Sequence, residues 1–258
     1  MSRFRPAVLL FAFAAVTLPL MPLQQLFVWA WPRMARRFPM HYHRLVCRIL
    51  GVQVTVIGQA PAKGPVLIAS NHVSWLDIIV LSAVAPISFI AKRDVNAWPF
   101  FGSLARLQRT VFVHRDKRHA TGQSLDEMRD RLAQGDILVL FPEGTSSDGM
   151  RVLPFKSAFF GAAEYDGVTV QPVSLAYAGQ RNLPMPRRLR PLYAWYGGMD
   201  LAPHLWEALQ AGPIEVTVVC HPTLSLNSGM NRKALANHAE HQVRRGLVQA
   251  LHDPRRIG

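Results

Sequence analysis

A histidine and an aspartate lie five residues apart in NHVSWLD, as His72 and Asp77. The chemistry such a pair supports is proton transfer. A carboxylate on one ring nitrogen fixes the imidazole tautomer and raises the basicity of the other, which makes His72 a general base for a hydroxyl. A continuous helix keeps the two apart, because positions i and i+5 point about 140° from each other at 3.6 residues per turn. A helix that starts at Ser74 brings them together. Asn71 and His72 then occupy the turn before it, and Asp77 sits on its first turn. The same residues have a second reading. Serine followed three residues later by an acid is close to a capping box. Asp77 then only complements the helix dipole, and His72 is a loop residue. The spacing alone leaves both open.

Three further stretches carry residues of chemical interest. In VLFPEGTSSDG (139–149) an apolar strand runs into Glu143, Gly144 and Thr145. Sheet proteins present ligand-binding loops at that end of a strand, and a glycine lets backbone approach a ligand closely. An ordinary turn with a solvated glutamate fits as well. In QRTVFVHRDKR (108–118), Arg115 ends a strand and opens a basic cluster, which read alone is a solvated turn. In VQPVSLAY (170–177), Pro172 breaks an apolar strand, which marks an edge strand if nothing else.

These residues need a scaffold, and the pattern supplies one. Short β-branched or apolar runs recur at 53–58, 65–70, 87–92, 110–115, 136–141, 169–177 and 214–222. Several are apolar almost throughout, as strands covered on both faces are. Helical stretches alternate with them, from SWLDIIVLSAVA to a last helix over 231–252. There Leu235, Ala239, Val243, Leu247 and Leu251 recur four apart and form an apolar face. The expected fold is α/β, a mixed central sheet flanked by helices, preceded by an N-terminal membrane-embedded helical segment. The expected division is 1–44 for that segment and 45–258 for the α/β domain. Residues 179–192 read as a basic loop broken by prolines.

The N-terminal segment follows from the distribution of charge. The net charge is +13, and Asp77 is the first acidic residue in the chain. The 27 residues from Pro6 to Pro32 carry no charge. A signal peptide fits the early arginines, but no clear small-x-small cleavage site precedes the next basic cluster. Pro19 and Pro22 interrupt a single span, since helix from Pro6 to Leu18 rises only about 20 Å against a hydrocarbon core of roughly 30 Å. The favoured reading is two short helices that meet at LPLMP and lie in one leaflet. Trp29, Trp31, Arg33, Arg36 and Arg37 then sit at the interface.

The positive charge also fits nucleic acid. The basic residues border an apolar segment, however, and no nucleic-acid motif is present, so no such partner is expected. A metal-dependent hydrolase would use His72, Asp77, His114 and the His238/His241 pair. H-x-x-H on a helix can bind metal, but here it reads as a solvated face. No metal and no cofactor is expected. Cys47 and Cys220 show no metal spacing and read as buried free thiols.

In order along the chain, NHVSWLD, the strand ending in Arg115, FPEGT and VQPVS resemble the four motifs of the glycerolipid acyltransferases, the 1-acylglycerol-3-phosphate acyltransferase family. The resemblance spans roughly residues 45 to 225. It implies an α/β domain on the cytosolic face of the inner membrane. It also implies transfer of a fatty acyl group from acyl-CoA or acyl carrier protein to the hydroxyl of a lysolipid. By resemblance His72 is the base and Asp77 orients it. Asn71 lies in the first motif. Glu143, Gly144 and Thr145 bind the acceptor, Arg115 faces its head group, and Pro172 walls the lipid site. Many members follow E-G-T with an arginine thought to bind the acceptor phosphate, and this chain has Ser146. Arg115, Arg151 and Lys156 are left to compensate. The run FPEGTSSDG…LPFKSA is similar to the branch that includes lyso-ornithine lipid acyltransferases, whose acceptor has no phosphate.

Overall fold

The computed structural model describes residues 4–61, 63–113, 118–165, 167–226 and 230–252. It opens with two helices, α1 (Arg5–Ala30) and α2 (Pro32–Leu50). An α/β domain follows: β1 (Val52–Ile57), β2 (Val66–Ser70), α3 (Leu76–Val84), β3 (Ser88–Lys92), α4 (Phe101–Leu107), β4 (Val111–Val113), α5 (Arg118–Ala133) and β5 (Ile137–Leu140). It continues with β6 (Thr169–Gln180), β7 (Leu183–Pro184), α6 (Leu201–Ala211), β8 (Ile214–Cys220) and α7 (Arg232–His252). Between β5 and β6, Ala158–Glu164 forms a 3-10 turn. The basic loop 179–192 holds β7 and another 3-10 turn, Arg187–Leu192.

The sheet is mixed, in the order β1-β8-β6-β2-β5-β3-β4, with β7 added to β6. All pairs are parallel except β6 with β8 and with β7. Successive side chains alternate across it. Ile68, Val139, Val173, Leu175 and Tyr177 pack with α2, α3 and α6 on one face. Leu67, Leu138, Leu140, Val170 and Ala176 pack with α5 and α7 on the other. Burial on both faces explains why β2 and β5 are apolar at nearly every position.

Two expectations are corrected. The first is the proline bend. Helix α1 runs unbroken through Pro19 and Pro22, and the turn comes at Trp31. A proline forfeits one intrahelical bond, a loss that packing against α2, α4 and α6 outweighs here. Pro32 differs because it stands at the first position of a new helix, where its missing N–H costs nothing. It also pushes Trp31 out of helical geometry. The hairpin therefore has long arms. At 1.5 Å per residue α1 is about 39 Å long, enough by length and composition to cross a membrane. Residue 44 marks no break, since α2 continues and buries Val46, Cys47 and Leu50 in the core of the α/β domain.

The second correction concerns Pro172, which lies in a central strand rather than at an edge. The β6–β8 ladder begins one residue later, with Val173 opposite Cys220. The Pro172 carbonyl accepts from His221 N at 3.0 Å. Such a pair exchanges two bonds, and the proline lacks the N–H for the second; Gln171 Nε2 donates to the His221 carbonyl at 3.1 Å in its place.

Candidate active site

Strand β2 ends at Ser70, and the chain turns through Asn71 and His72 before α3 begins at Leu76. The turn is tight: Asp77 N donates to Ser74 O at 3.1 Å and Ile78 N to Trp75 O at 3.3 Å. Helical geometry thus starts two residues after Ser74, and no serine side chain caps it. Asp77 does the reaching back. Its Oδ2 accepts from Val73 N at 2.6 Å, Ser74 N at 3.0 Å and His72 Nδ1 at 2.7 Å. The carboxylate that closes the helix start also holds the imidazole.

Asp77 has no exposed surface, so its charge rests wholly on these donors. A fourth reaches its other oxygen: Tyr177 Oη donates to Asp77 Oδ1 at 2.5 Å. Tyr177 comes from mid-β6, on the α3 face with Val173 and Leu175. Burial, then the charge of Asp77, raises its phenol well above the usual range.

The imidazole is held in two further ways. Its ring stacks on Phe141, centroids 4.2 Å apart and planes 19° from parallel. Its backbone N donates to Glu143 Oε1 at 2.9 Å, while Glu143 Oε2 accepts from Leu153 N at 3.1 Å. Glu143 is thus a bracket between the loops after β2 and β5. It is 3% exposed, and burial pushes its carboxyl up to about 8, above the 4.5 usual for the group. Ser147 N donates to His72 O and Trp195 N to Val73 O, each at 2.9 Å. Ser146 Oγ donates to the Trp195 carbonyl. With Nδ1 committed to Asp77 and 21% of the side chain exposed, Nε2 is the nitrogen left for a substrate.

His72 opens onto a cavity of about 720 Å³ between the helical hairpin and the sheet. That size is ordinary for a small-molecule or cofactor site. Trp75, Phe141, Gly144, Thr145 and Trp195 line it near the histidine. Leu10, Phe13, Leu20 and Met21 of α1 and Phe38 and Leu50 of α2 line it too, so the walls are mainly apolar.

The expected site residues divide in four. His72, Gly144 and Thr145 line the cavity, and Asp77 stands behind His72. Gly144 has φ +76, a conformation that favours glycine. Asn71 and Glu143 are internal brackets. Asn71 is fully buried, exchanging 2.8 Å and 2.9 Å bonds with the Leu175 backbone of β6. Pro172 and Lys156 are not among the lining residues, and Lys156 is exposed. Arg115 and His114 lie outside the described residues. His238 is bonded to Gln242 on an exposed face of α7. Cys47 and Cys220 are free and buried. Sequence reasoning missed Tyr177, Lys92 and Trp75. Lys92 ends β3 and lines the cavity, and its place at the carboxyl end of a parallel strand was the available signal.

A family model described as "Acyltransferase" matches residues 51–176. A lyso-ornithine lipid O-acyltransferase of Brucella abortus is 45% identical over 93% of this chain and 92% of its own length. One from Rhizobium meliloti is 43% identical over 92% and 83%. This chain belongs to the glycerolipid acyltransferase family. A 1-acyl-sn-glycerol-3-phosphate acyltransferase of Neisseria gonorrhoeae is also similar, 36% identical over 73% of this chain and 72% of its own. In structure, this acyltransferase shares its fold with the 1-acyl-sn-glycerophosphate acyltransferase of Thermotoga maritima. The TM-score is 0.68 at 23% identity, covering 96% of this chain and 97% of that one.

Proposed function

We propose that this acyltransferase is membrane-bound and moves a fatty acyl group from a thioester to the hydroxyl of lyso-ornithine lipid, with His72 as general base. The observation that carries the reading is the His72–Asp77 pair at an apolar cavity. Nε2 takes the proton of the acceptor hydroxyl as its oxygen attacks the thioester carbonyl. The tetrahedral intermediate collapses, the C–S bond breaks, and the imidazolium returns the proton to the leaving thiolate. Base catalysis of this kind contributes about 10²–10⁴-fold. Asp77 holds the ring and stabilises its cationic form. Asn71 ties the loop after β2 to β6 and Glu143 ties it to the loop after β5, and Gly144 and Thr145 form the wall beside the acceptor.

The donor is acyl-CoA or an acyl carrier protein. The hairpin seats the enzyme on the inner membrane with the α/β domain in the cytosol. The exposed apolar residues Val8, Phe11, Leu18, Trp29 and Trp31 meet lipid, and Arg33 and Arg37 meet anionic head groups. By the family resemblance, Arg115 and Lys156 serve the acceptor head group. Lys92, the cation lining the cavity among the described residues, suits the carboxylate of an amino-acid head group. The printed activities of the Brucella and Rhizobium relatives support this acceptor.

The Neisseria relative favours a second reading, in which the acceptor is 1-acyl-sn-glycerol-3-phosphate. Against it stands Ser146, a neutral side chain already committed to Trp195, where a phosphate prefers a cation. Thiol release by purified enzyme in detergent separates the two. Faster turnover with lyso-ornithine lipid is expected. A higher kcat/KM with the phosphate acceptor would reverse the assignment, and no release with either would sink both.

A further inference from the structure

Asp77 is held at both oxygens, and only one set of bonds belongs to its own loop. Oδ2 takes His72 Nδ1 and the amides of Val73 and Ser74. Oδ1 takes the hydroxyl of Tyr177, a hundred residues away in β6. The local donors fix one oxygen and leave rotation about the carboxylate axis. The phenol removes that freedom. Tyr177 itself is 2% exposed, so its hydroxyl needs this partner as much as Asp77 needs the donor.

We propose that Tyr177 is a positioning residue that sets the orientation and basicity of His72 through Asp77. The proposal rests on the general-base reading of His72. A donor on Oδ1 draws charge from the carboxylate. The share left to stabilise the imidazolium falls, so the phenol and the imidazole compete for the same carboxylate charge. The phenol is suited to this because burial and the charge of Asp77 keep it protonated, so it remains a donor. Among the described residues, other titratable groups bond to this loop or share its cavity. Glu143 lies in the loop after β5, Lys92 ends β3, and His43 of α2 lines the same cavity. His204 of α6 accepts from the Trp75 indole at 3.2 Å. Of the bonds described to Asp77, only the Tyr177 bond comes from outside its own loop.

The test compares wild type with Tyr177→Phe in detergent, using acyl-CoA, a lysolipid and thiol release. The expected result is a kcat lower by about 10- to 100-fold with KM for both substrates within about twofold. The acid limb of the kcat/KM profile moves up by at least about half a pH unit, the scale of one lost hydrogen bond. A kcat loss that merely tracks the folded fraction, with the limb unmoved, overturns the proposal. So does wild-type turnover. A second readout does not depend on the reaction. The His72 imidazole resonance in histidine-labelled protein, assigned by its loss in His72→Ala, should titrate at higher pH in Tyr177→Phe. If wild type proves inactive while this shift appears, the acyl-transfer reading fails and the coupling stands. An unshifted midpoint in an active enzyme is the reverse case. Should Tyr177→Phe not fold, difluorotyrosine at position 177 keeps the ring and strengthens the donor. It must then shift the midpoint down, and no shift defeats the proposal.

Discussion

Two aspartates are taken almost wholly out of water, Asp77 at 0% exposure and Asp136 at 3%, and their partners differ in kind. Asp136, just before β5, is met by three arginines. Arg36 of α2 lies at 2.8 Å, Arg109 at 2.9 Å and Arg131 of α5 at 2.5 Å. Arg131 also donates to the Arg109 carbonyl at 2.9 Å, and Arg36 to the Gln134 carbonyl at 2.9 Å. These cations are permanent, so the charge of Asp136 is cancelled and spent on joining the hairpin to the sheet. Asp77 instead has two amides, a phenol and an imidazole, donors that carry no permanent charge. Its charge is held in place but not cancelled, and it acts on the one partner that can gain and lose a proton. Burial alone does not mark a functional carboxylate; the charge state of its donors does.

That contrast can be broken by substitution. Asp77→Asn should lower kcat by about 10²–10⁴-fold while leaving a folded protein, because the amide no longer favours the proton-accepting histidine. Circular dichroism and thiol release together check it. Asp136→Asn should do the opposite. It leaves three partly buried guanidinium groups short of their counter-charge and should cost about 1–3 kcal/mol of stability. The turnover per folded molecule should be unchanged. Denaturant midpoints paired with kcat distinguish the two, and a stable Asp136→Asn with collapsed kcat would erase the difference.

Glu143 sharpens the comparison as a third buried acid with two amide donors and no cation among its described bonds. Its folded value, about 8, lies above the usual 4.5. The folded state therefore binds its proton more tightly than the unfolded one. The contribution is complete below about pH 4.5 and is lost as pH rises through 8. Denaturation midpoints should fall over that window. Glu143→Gln should flatten the slope, and it should lower the midpoint overall because one backbone donor then meets an amide NH₂. An equally steep slope in the variant would assign the pH dependence to other groups.

Much of this was legible in the residues. Apolar runs at 66–70 and 137–140 announced strands buried on both faces, and His72, Glu143 and Gly144 lie just past the ends of those two strands. The acyltransferase motifs announced the family. Tyr177 was legible only in part. Its parity with Val173 and Leu175 places it on the α3 face, but nothing local names a partner a hundred residues earlier. Asn71 and Glu143 looked like ligand-binding groups because polar residues at strand ends often are. Their bonds to Leu175 and His72 are long-range and leave no local signature. The prolines of α1 misled for a related reason. Propensity is local, and packing on α2, α4 and α6 decided the helix.

The account's central claim is that His72 takes the proton from the acceptor hydroxyl. Thiol release from an acyl thioester by folded His72→Ala protein, with lyso-ornithine lipid present, tests it most directly. The expected result is release no faster than without enzyme, from a protein whose circular dichroism and denaturant midpoint match wild type. Turnover within tenfold of wild type would contradict it.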